Sequence, residues 1–169
     1  MLEFALQSSS PVSIRYPKTR VDSVPRHRTP IVLGKSETLS TGEDGTIIAC
    51  GTMLAQAVEA AAQLAEQGIR AGVVNARFVK PIDEQMLRQA ASTGFVITIE
   101  ENALIGGFGS AVLETANRLG ISTERFKVLA IPDRFVEHGE REELLAEMGL
   151  DAAGIVRAAL ELSHTHAEL

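Results

Sequence analysis

The feature that most constrains the fold is a regular alternation of apolar runs and helical patterns that begins at Thr46. Four short apolar runs are predicted as strands, at residues 46–50, 71–74, 95–99 and 127–131. Stretches with apolar residues at helical spacing are predicted as helices between Thr52 and Gly68, between Asp83 and Gly94, and over 110–119, 140–148 and 151–162. This order indicates an α/β fold in three layers, with a mainly parallel sheet and helices on both faces.

Two residues have the character of helix N-caps. Thr52 follows Gly51 directly after the first predicted strand. Asp83 precedes the second predicted helix, where Ile82 and Leu87 have the spacing of a hydrophobic staple. We therefore expect both side chains to accept hydrogen bonds from the first turn of a helix.

The first 45 residues have a different character. Residues 1–15 resemble the end of a preceding domain, with a helix end at 1–6 and a strand at 11–15 that needs a neighbour to pair with. Residues 16–45 are polar and are predicted as a linker, because connections of this length are uncommon within compact domains. A basic phosphate-binding arm is the alternative interpretation, on the evidence of Lys18, Arg20, Arg26, Arg28 and Lys35. The folded domain is predicted over 46–162, with a tail at 163–169.

Polar residues follow the predicted strands, at the edge of the sheet where open α/β folds bind ligands. They are Gly51-Thr52, Asn75, Glu100-Glu101-Asn102 and Asp133. The glutamate pair could act in acid–base chemistry or bind a hard metal ion. Because neighbouring residues on a strand point to opposite faces, we favour a structural arrangement. One glutamate would then bind loop amides and the other would be solvated.

The glycine-rich turn GGFGS at residues 106–110 precedes a predicted helix. Its backbone amides could face an anion, but it lacks the lysine of a P-loop and the spacing of a dinucleotide motif. Close packing of the turn against the sheet explains the glycines equally well. His138 has no partner at the spacing of a metal site, so a structural role is favoured.

Composition excludes several classes of function. The net charge of −6 disfavours a nucleic-acid surface. No apolar run approaches the length of a membrane span, and Cys50 is the single cysteine, so a disulfide framework is excluded. We therefore expect a cytoplasmic protein with neither a nucleic-acid nor a membrane partner.

Several phrases of the sequence resemble the carboxy-terminal part of the 1-deoxy-D-xylulose-5-phosphate synthases, a family of transketolase-like, thiamine-diphosphate-dependent enzymes. The phrases are IRYP at 14–17, NARFVKPID at 75–83, TIEEN at 98–102, GGFGS at 106–110, PDRFVEHG at 132–139 and EMGLD at 147–151. The resemblance runs in order from about residue 1 to about residue 162. It implies that 46–162 is the transketolase carboxy-terminal-like domain and that 1–15 is the tail of the preceding pyrimidine-binding domain.

The resemblance also implies a function. The family, a group of transferases, joins pyruvate to glyceraldehyde 3-phosphate with loss of carbon dioxide, and its product supplies isoprenoid (terpenoid), thiamine and pyridoxal synthesis. Thiamine diphosphate and Mg²⁺ are held by the family's first two domains, whose motifs this chain lacks. We therefore expect neither to bind this chain alone, and we expect the chain to be inactive alone, to form a homodimer and to contact the missing amino-terminal domains.

One site residue is implied by the resemblance. Family members usually have a second arginine after Arg-Tyr-Pro, which contacts the substrate phosphate, and Lys18 takes that place here. No catalytic residue is predicted in this chain. The alternative function is a non-catalytic assembly domain, as in the β subunits of 2-oxo acid dehydrogenases or in transketolase. In that case residues 77–79 and 134–136 would lie at interfaces.

Overall fold

The computed structural model describes residues 1–18, 23–26 and 29–164, without the side chain of His164. The helices are α1 Leu2–Leu6, α2 Leu54–Glu66, α3 Glu84–Ala91, α4 Phe108–Arg118, α5 Arg141–Glu147 and α6 Ala152–His164, and a 3-10 turn, Gly51–Met53, precedes α2. The strands are β1 Glu37–Ser40, β2 Gly45–Ala49, β3 Ala71–Asn75, β4 Phe95–Ala103 and β5 Phe126–Ile131.

The five strands form one sheet in the order β1-β3-β2-β4-β5. Strands β2 to β5 pair in parallel, and β1 pairs antiparallel with β3 at the edge. The predicted α/β class with a mainly parallel sheet is thereby confirmed.

Helices cover both faces of the sheet, because side chains alternate along each strand. On β2, Ile47 and Ala49 join a core formed with α2, α5 and α6, whereas Ile48 joins a core formed with α3 and α4. Both cores contain fully buried side chains, such as Phe95 in the first and Leu87 in the second. The fold therefore has the three predicted layers. Among the described helices, none has both the length and the apolar character needed to cross a membrane.

Three local predictions are wrong. Glu37–Ser40 is a strand although it falls within the predicted linker, since it is held by pairing with β3 and by a buried carboxylate rather than by apolar alternation. Residues 11–15 do not form a strand, because they have no strand to pair with. Thr52 lies in the 3-10 turn and does not cap α2.

The prediction for Asp83 is confirmed. Its side chain accepts a hydrogen bond from the Met86 amide at 3.2 Å and also from the Ser36 amide at 3.0 Å. Burial alone would raise the pKa of Asp83, but these hydrogen bonds outweigh it and lower the pKa. Asp83 therefore both starts α3 and ties the segment before β1 to the domain.

Candidate functional site

The candidate site lies at the carboxyl ends of β2 and β4. The chain leaves β2 towards β3 on one side, and β4 lies on the other side, so the strand order reverses at this point. Open α/β sheets bind ligands in the crevice at such a reversal. Thr52 stands beyond the end of β2 and Glu101 near the end of β4, and the Thr52 hydroxyl donates a hydrogen bond to the Glu101 carboxylate at 2.7 Å. A polar contact of the chain itself therefore spans this crevice.

Glu100 is buried and binds the amides of the glycine-rich turn. Its two carboxylate oxygens accept hydrogen bonds from the amide of Phe108 at 2.8 Å and from the amide of Gly109 at 2.7 Å. These amides belong to the first turn of α4, where a negative charge is favourable. A Cβ atom at Gly107 would lie only 2.7 Å from the Glu100 carboxylate. The turn thus packs closely, as the sequence allowed, and two of its amides bind an internal carboxylate.

Glu101 is only half-buried but is not solvated, and the expectation that one glutamate would be free in water is therefore wrong. The Arg141 guanidinium donates to its two carboxylate oxygens, at 2.7 and 2.5 Å. The hydrogen bond from Arg141 and the one from Thr52 hold the pKa of Glu101 below its ordinary value, although burial works against them. Glu101 therefore joins the end of β4 to the start of α5 and to the turn after β2.

The amino-terminal segment reaches the same place. The Arg15 guanidinium donates a hydrogen bond to the main-chain oxygen of Glu101 at 2.9 Å. Lys18, the predicted phosphate-contacting residue, lies three residues further on in an exposed bend. The Arg15 side chain thus ties the amino-terminal segment to the carboxyl edge of the sheet. Arg20 and Arg28, also part of the predicted basic arm, lie outside the described residues.

Asn75 belongs to a second cluster around Glu37. The Asn75 amide donates to the Glu37 carboxylate at 3.1 Å, and Arg26 and Arg77 pair with the same carboxylate at 3.1 and 2.8 Å. Burial would raise the pKa of Glu37, but these partners together lower it. Arg77 also donates to the carbonyl oxygen of Pro30 at 3.0 Å. The cluster holds the segment near residue 30 against the sheet edge.

Asp133, His138 and Cys50 do not contribute to the site. Asp133 is exposed, and His138 is exposed as well, so the structural role expected for this histidine is wrong. Burial and the nearby Glu100 raise the pKa of Cys50 to about 11, which keeps it as a thiol and makes it a poor nucleophile.

The two glutamates at the end of β4 do not fit a magnesium ion. Mg²⁺ needs free carboxylate or carbonyl oxygens in octahedral geometry. Here both oxygens of Glu100 bind amides, and both oxygens of Glu101 bind Arg141. Within the described part of the chain, no group of three or more His, Cys, Asp or Glu side chains could hold a metal ion.

Sequence reasoning missed the two arginines that surround Glu101 and the buried carboxylate of Glu37. Arg141 falls within the predicted helix over 140–148, and Arg15 falls within the predicted strand at 11–15. No local pattern links them to Glu101, which lies 40 residues before Arg141 and 86 residues after Arg15. Glu37 could have been found only as an acidic residue at an inward position of a short, weakly apolar strand.

The five-stranded, mainly parallel sheet with helices on both faces defines the class of three-layer α/β domains. The chain belongs to the transketolase C-terminal domain family, whose model matches residues 34–155. This match begins shortly before β1 and ends within α6.

Curated relatives confirm the resemblance to 1-deoxy-D-xylulose-5-phosphate synthases. The synthase 1 of Geobacter sulfurreducens is 50% identical over 161 residues, which cover 94% of this chain and 25% of that protein. The synthase of Aquifex aeolicus is 46% identical over 160 residues, with 94% and 25% covered. The chain thus spans about a quarter of the length of these relatives, and it fits a carboxy-terminal portion.

Solved structures agree on the fold. A split gene transketolase, described as an inactive beta4 tetramer, superposes with a TM-score of 0.84 at 34% identity and covers 96% of this chain and 52% of that chain. A transketolase of Pichia stipitis superposes with a TM-score of 0.57 at 20% identity, over 79% of this chain and 18% of that one, and shows the fold alone.

Proposed function

We propose that this chain is the carboxy-terminal portion of a thiamine-diphosphate-dependent 1-deoxy-D-xylulose-5-phosphate synthase. The complete enzyme would join pyruvate to glyceraldehyde 3-phosphate, release carbon dioxide and supply isoprenoid, thiamine and pyridoxal synthesis in the cytoplasm. The observation that carries the proposal is the identity of 50% with a named synthase over 94% of this chain.

The part played by this chain is structural. Thiamine diphosphate and Mg²⁺ would be held by the portion of the enzyme that precedes it, because the Glu100 and Glu101 carboxylates are engaged with amides and with Arg141. The chain would contact that preceding portion and a second copy of itself. Alone, it would neither bind the coenzyme nor catalyse the reaction.

Lys18 would be the contribution of this chain to substrate recognition. Its side chain is exposed and its main chain follows Pro17, whose ring fixes the local backbone. A lysine offers a positive charge to a phosphate but cannot form the bidentate hydrogen bonds of an arginine. Lys18 would therefore contact the phosphate of glyceraldehyde 3-phosphate and leave pyruvate, which has no phosphate, unaffected.

The alternative is a non-catalytic assembly domain of a transketolase or of a 2-oxo acid dehydrogenase β subunit. It is not better supported, since the split gene transketolase is 34% identical to this chain, whereas the Geobacter sulfurreducens synthase is 50% identical. The DNA sequence upstream of this segment distinguishes the synthase from the assembly domain. A diphosphate-binding motif upstream in the same reading frame favours the synthase, and a separate α-subunit gene favours the alternative.

The experiment that tests the proposal is genetic complementation. The complete protein that contains this segment is expressed in a bacterial strain whose own synthase gene is deleted and which is kept alive on 1-deoxy-D-xylulose. We expect growth without the supplement, as with a known synthase. Failure to grow with the soluble protein present, while the supplemented culture grows, would overturn the proposal.

A further inference from the structure

We infer that Arg15 is a positioning residue for phosphate recognition, which holds the segment that carries Lys18 against the carboxyl edge of the sheet. The inference rests on the proposed function and extends it to a residue that does not itself touch the substrate. The observation behind it is the 2.9 Å hydrogen bond from the Arg15 guanidinium to the main-chain oxygen of Glu101.

The position of Glu101 is well fixed, because three parts of the fold contact it or contain it. Its backbone is part of β4, and its carboxylate accepts hydrogen bonds from Thr52 after β2 and from Arg141 at the start of α5. The bidentate, charge-assisted pair between Arg141 and Glu101 fixes the geometry as well as adding interaction energy. Since Arg141 and Thr52 engage the carboxylate, the main-chain oxygen is the group that Arg15 uses.

Two described contacts join residues 1–18 to the domain: the ring of Phe4 packs edge-on against that of Phe78, with 5.6 Å between the centroids, and Arg15 makes the contact nearest to Lys18. The other hydrogen bonds described within residues 8–18 are local and join Ser8 to Ser10. Tyr16 is 82% exposed, so its ring does not hold the segment to the domain. The Arg15 contact, by comparison, reaches across 86 residues of sequence.

The constraint at Arg15 is transmitted to Lys18 by the local backbone. Pro17 has a fixed φ, and a residue before proline, here Tyr16, is restricted to extended conformations. Two residues separate Arg15 from Lys18, so their Cα atoms are at most about 11 Å apart. Holding Arg15 therefore restricts where the Lys18 ammonium can be placed, and releasing it returns backbone freedom that substrate binding must then remove.

The test uses steady-state kinetics of the complete protein, with separate Michaelis constants for glyceraldehyde 3-phosphate and pyruvate. We expect Lys18→Ala to raise the constant for glyceraldehyde 3-phosphate by about tenfold to a hundredfold. Arg15→Gln should raise the same constant by about fivefold to thirtyfold, the factor for ordering one residue. Neither variant should change the constant for pyruvate. Arg15→Lys, which can still donate one hydrogen bond, should recover most of the loss.

The double variant separates positioning from direct contact. If Arg15 acts through Lys18, Arg15→Gln combined with Lys18→Ala is no worse than Lys18→Ala alone. The matched control is Arg118→Gln. Arg118 lies at the end of α4 and forms an exposed ion pair with Glu84 of α3, so this variant should leave both Michaelis constants unchanged.

Other outcomes overturn the inference in distinguishable ways. Additive losses in the double variant would mean that Arg15 contacts substrate itself. An effect of Lys18→Ala without one of Arg15→Gln would reject the positioning role and leave the proposed function standing. A Lys18→Ala enzyme with unchanged kinetics would reject both residue roles, and a complete protein that forms no product would reject the proposed function together with them.

Discussion

The carboxylate of Glu100 accepts a hydrogen bond from the backbone amide of Phe108 at 2.8 Å, and its second oxygen accepts one from the next amide in the chain. The glutamate is 3% exposed, so both hydrogen bonds lie in the interior. Strand β4 therefore supplies the anion that occupies the start of helix α4, and the end of the strand and the start of the helix form one unit.

Replacing Glu100 should destabilise the fold. Glu100→Ala leaves two buried amides without acceptors, and we expect a loss of about 3 kcal/mol in the free energy of unfolding. Glu100→Gln keeps one acceptor oxygen and should lose less. Urea unfolding followed by circular dichroism measures both. The matched control is Glu114→Ala on the exposed face of α4; an equal loss in this control would contradict the special role of Glu100.

The Glu101–Arg141 pair should make stability depend on pH. Arg141 and Thr52 lower the pKa of Glu101 below its ordinary value of 4.5, so the folded state binds a proton less readily than the unfolded state. The stabilisation is therefore complete above the unfolded pKa and is lost as the pH falls through the lower folded pKa.

We expect Glu101→Gln to be less stable than the native protein by about 1–2 kcal/mol at pH 7, since the pair is partly exposed. The difference should stay constant down to about pH 5 and shrink below it. Urea unfolding of both proteins across pH 3–7 measures this. A difference in unfolding free energy that widened on acidification would contradict the assignment. The pKa values of Glu37 and Asp83 are also lowered, but both residues are present in both proteins, so their contributions cancel in the difference.

Much of the fold could be predicted from the sequence, because β2 to β5 and the helices between them carry their own periodicity. Strand β1 could not, since Glu37–Ser40 contains a single strongly apolar residue and is held by pairing with β3. The role of Glu100 was within reach, because its partners lie eight and nine residues away in the next turn. The partners of Glu101 were not, because only the folded sheet brings Arg15 and Arg141 to it.

The isolated chain should not bind thiamine diphosphate. A magnesium ion that holds a diphosphate needs free oxygen ligands, and the Glu100 and Glu101 carboxylates are already engaged. Isothermal titration calorimetry with thiamine diphosphate and Mg²⁺ should give no saturable heat. The complete protein serves as the positive control, and saturable binding by the isolated chain would reject the structural role assigned to it.

The chain should associate with itself through apolar loops after β4 and β5. The Phe135 side chain is 97% exposed and that of Ile105 is 68% exposed, and covering such apolar surface with a second copy would remove it from water. Sedimentation velocity at high micromolar concentration should show dimers, and Phe135→Ser should weaken them. Leu33→Ser, at an exposed residue of a different segment, is the control; a strict monomer would contradict the prediction.

The most direct measurement of the central claim is product formation by the complete purified protein with thiamine diphosphate and Mg²⁺. Labelled pyruvate and glyceraldehyde 3-phosphate are supplied, and the released carbon dioxide and the sugar phosphate product are quantified. We predict 1-deoxy-D-xylulose 5-phosphate and carbon dioxide in equal amounts, both dependent on glyceraldehyde 3-phosphate. Transfer of a two-carbon unit from a ketose phosphate, with no reaction of pyruvate, would contradict the account and identify a transketolase instead.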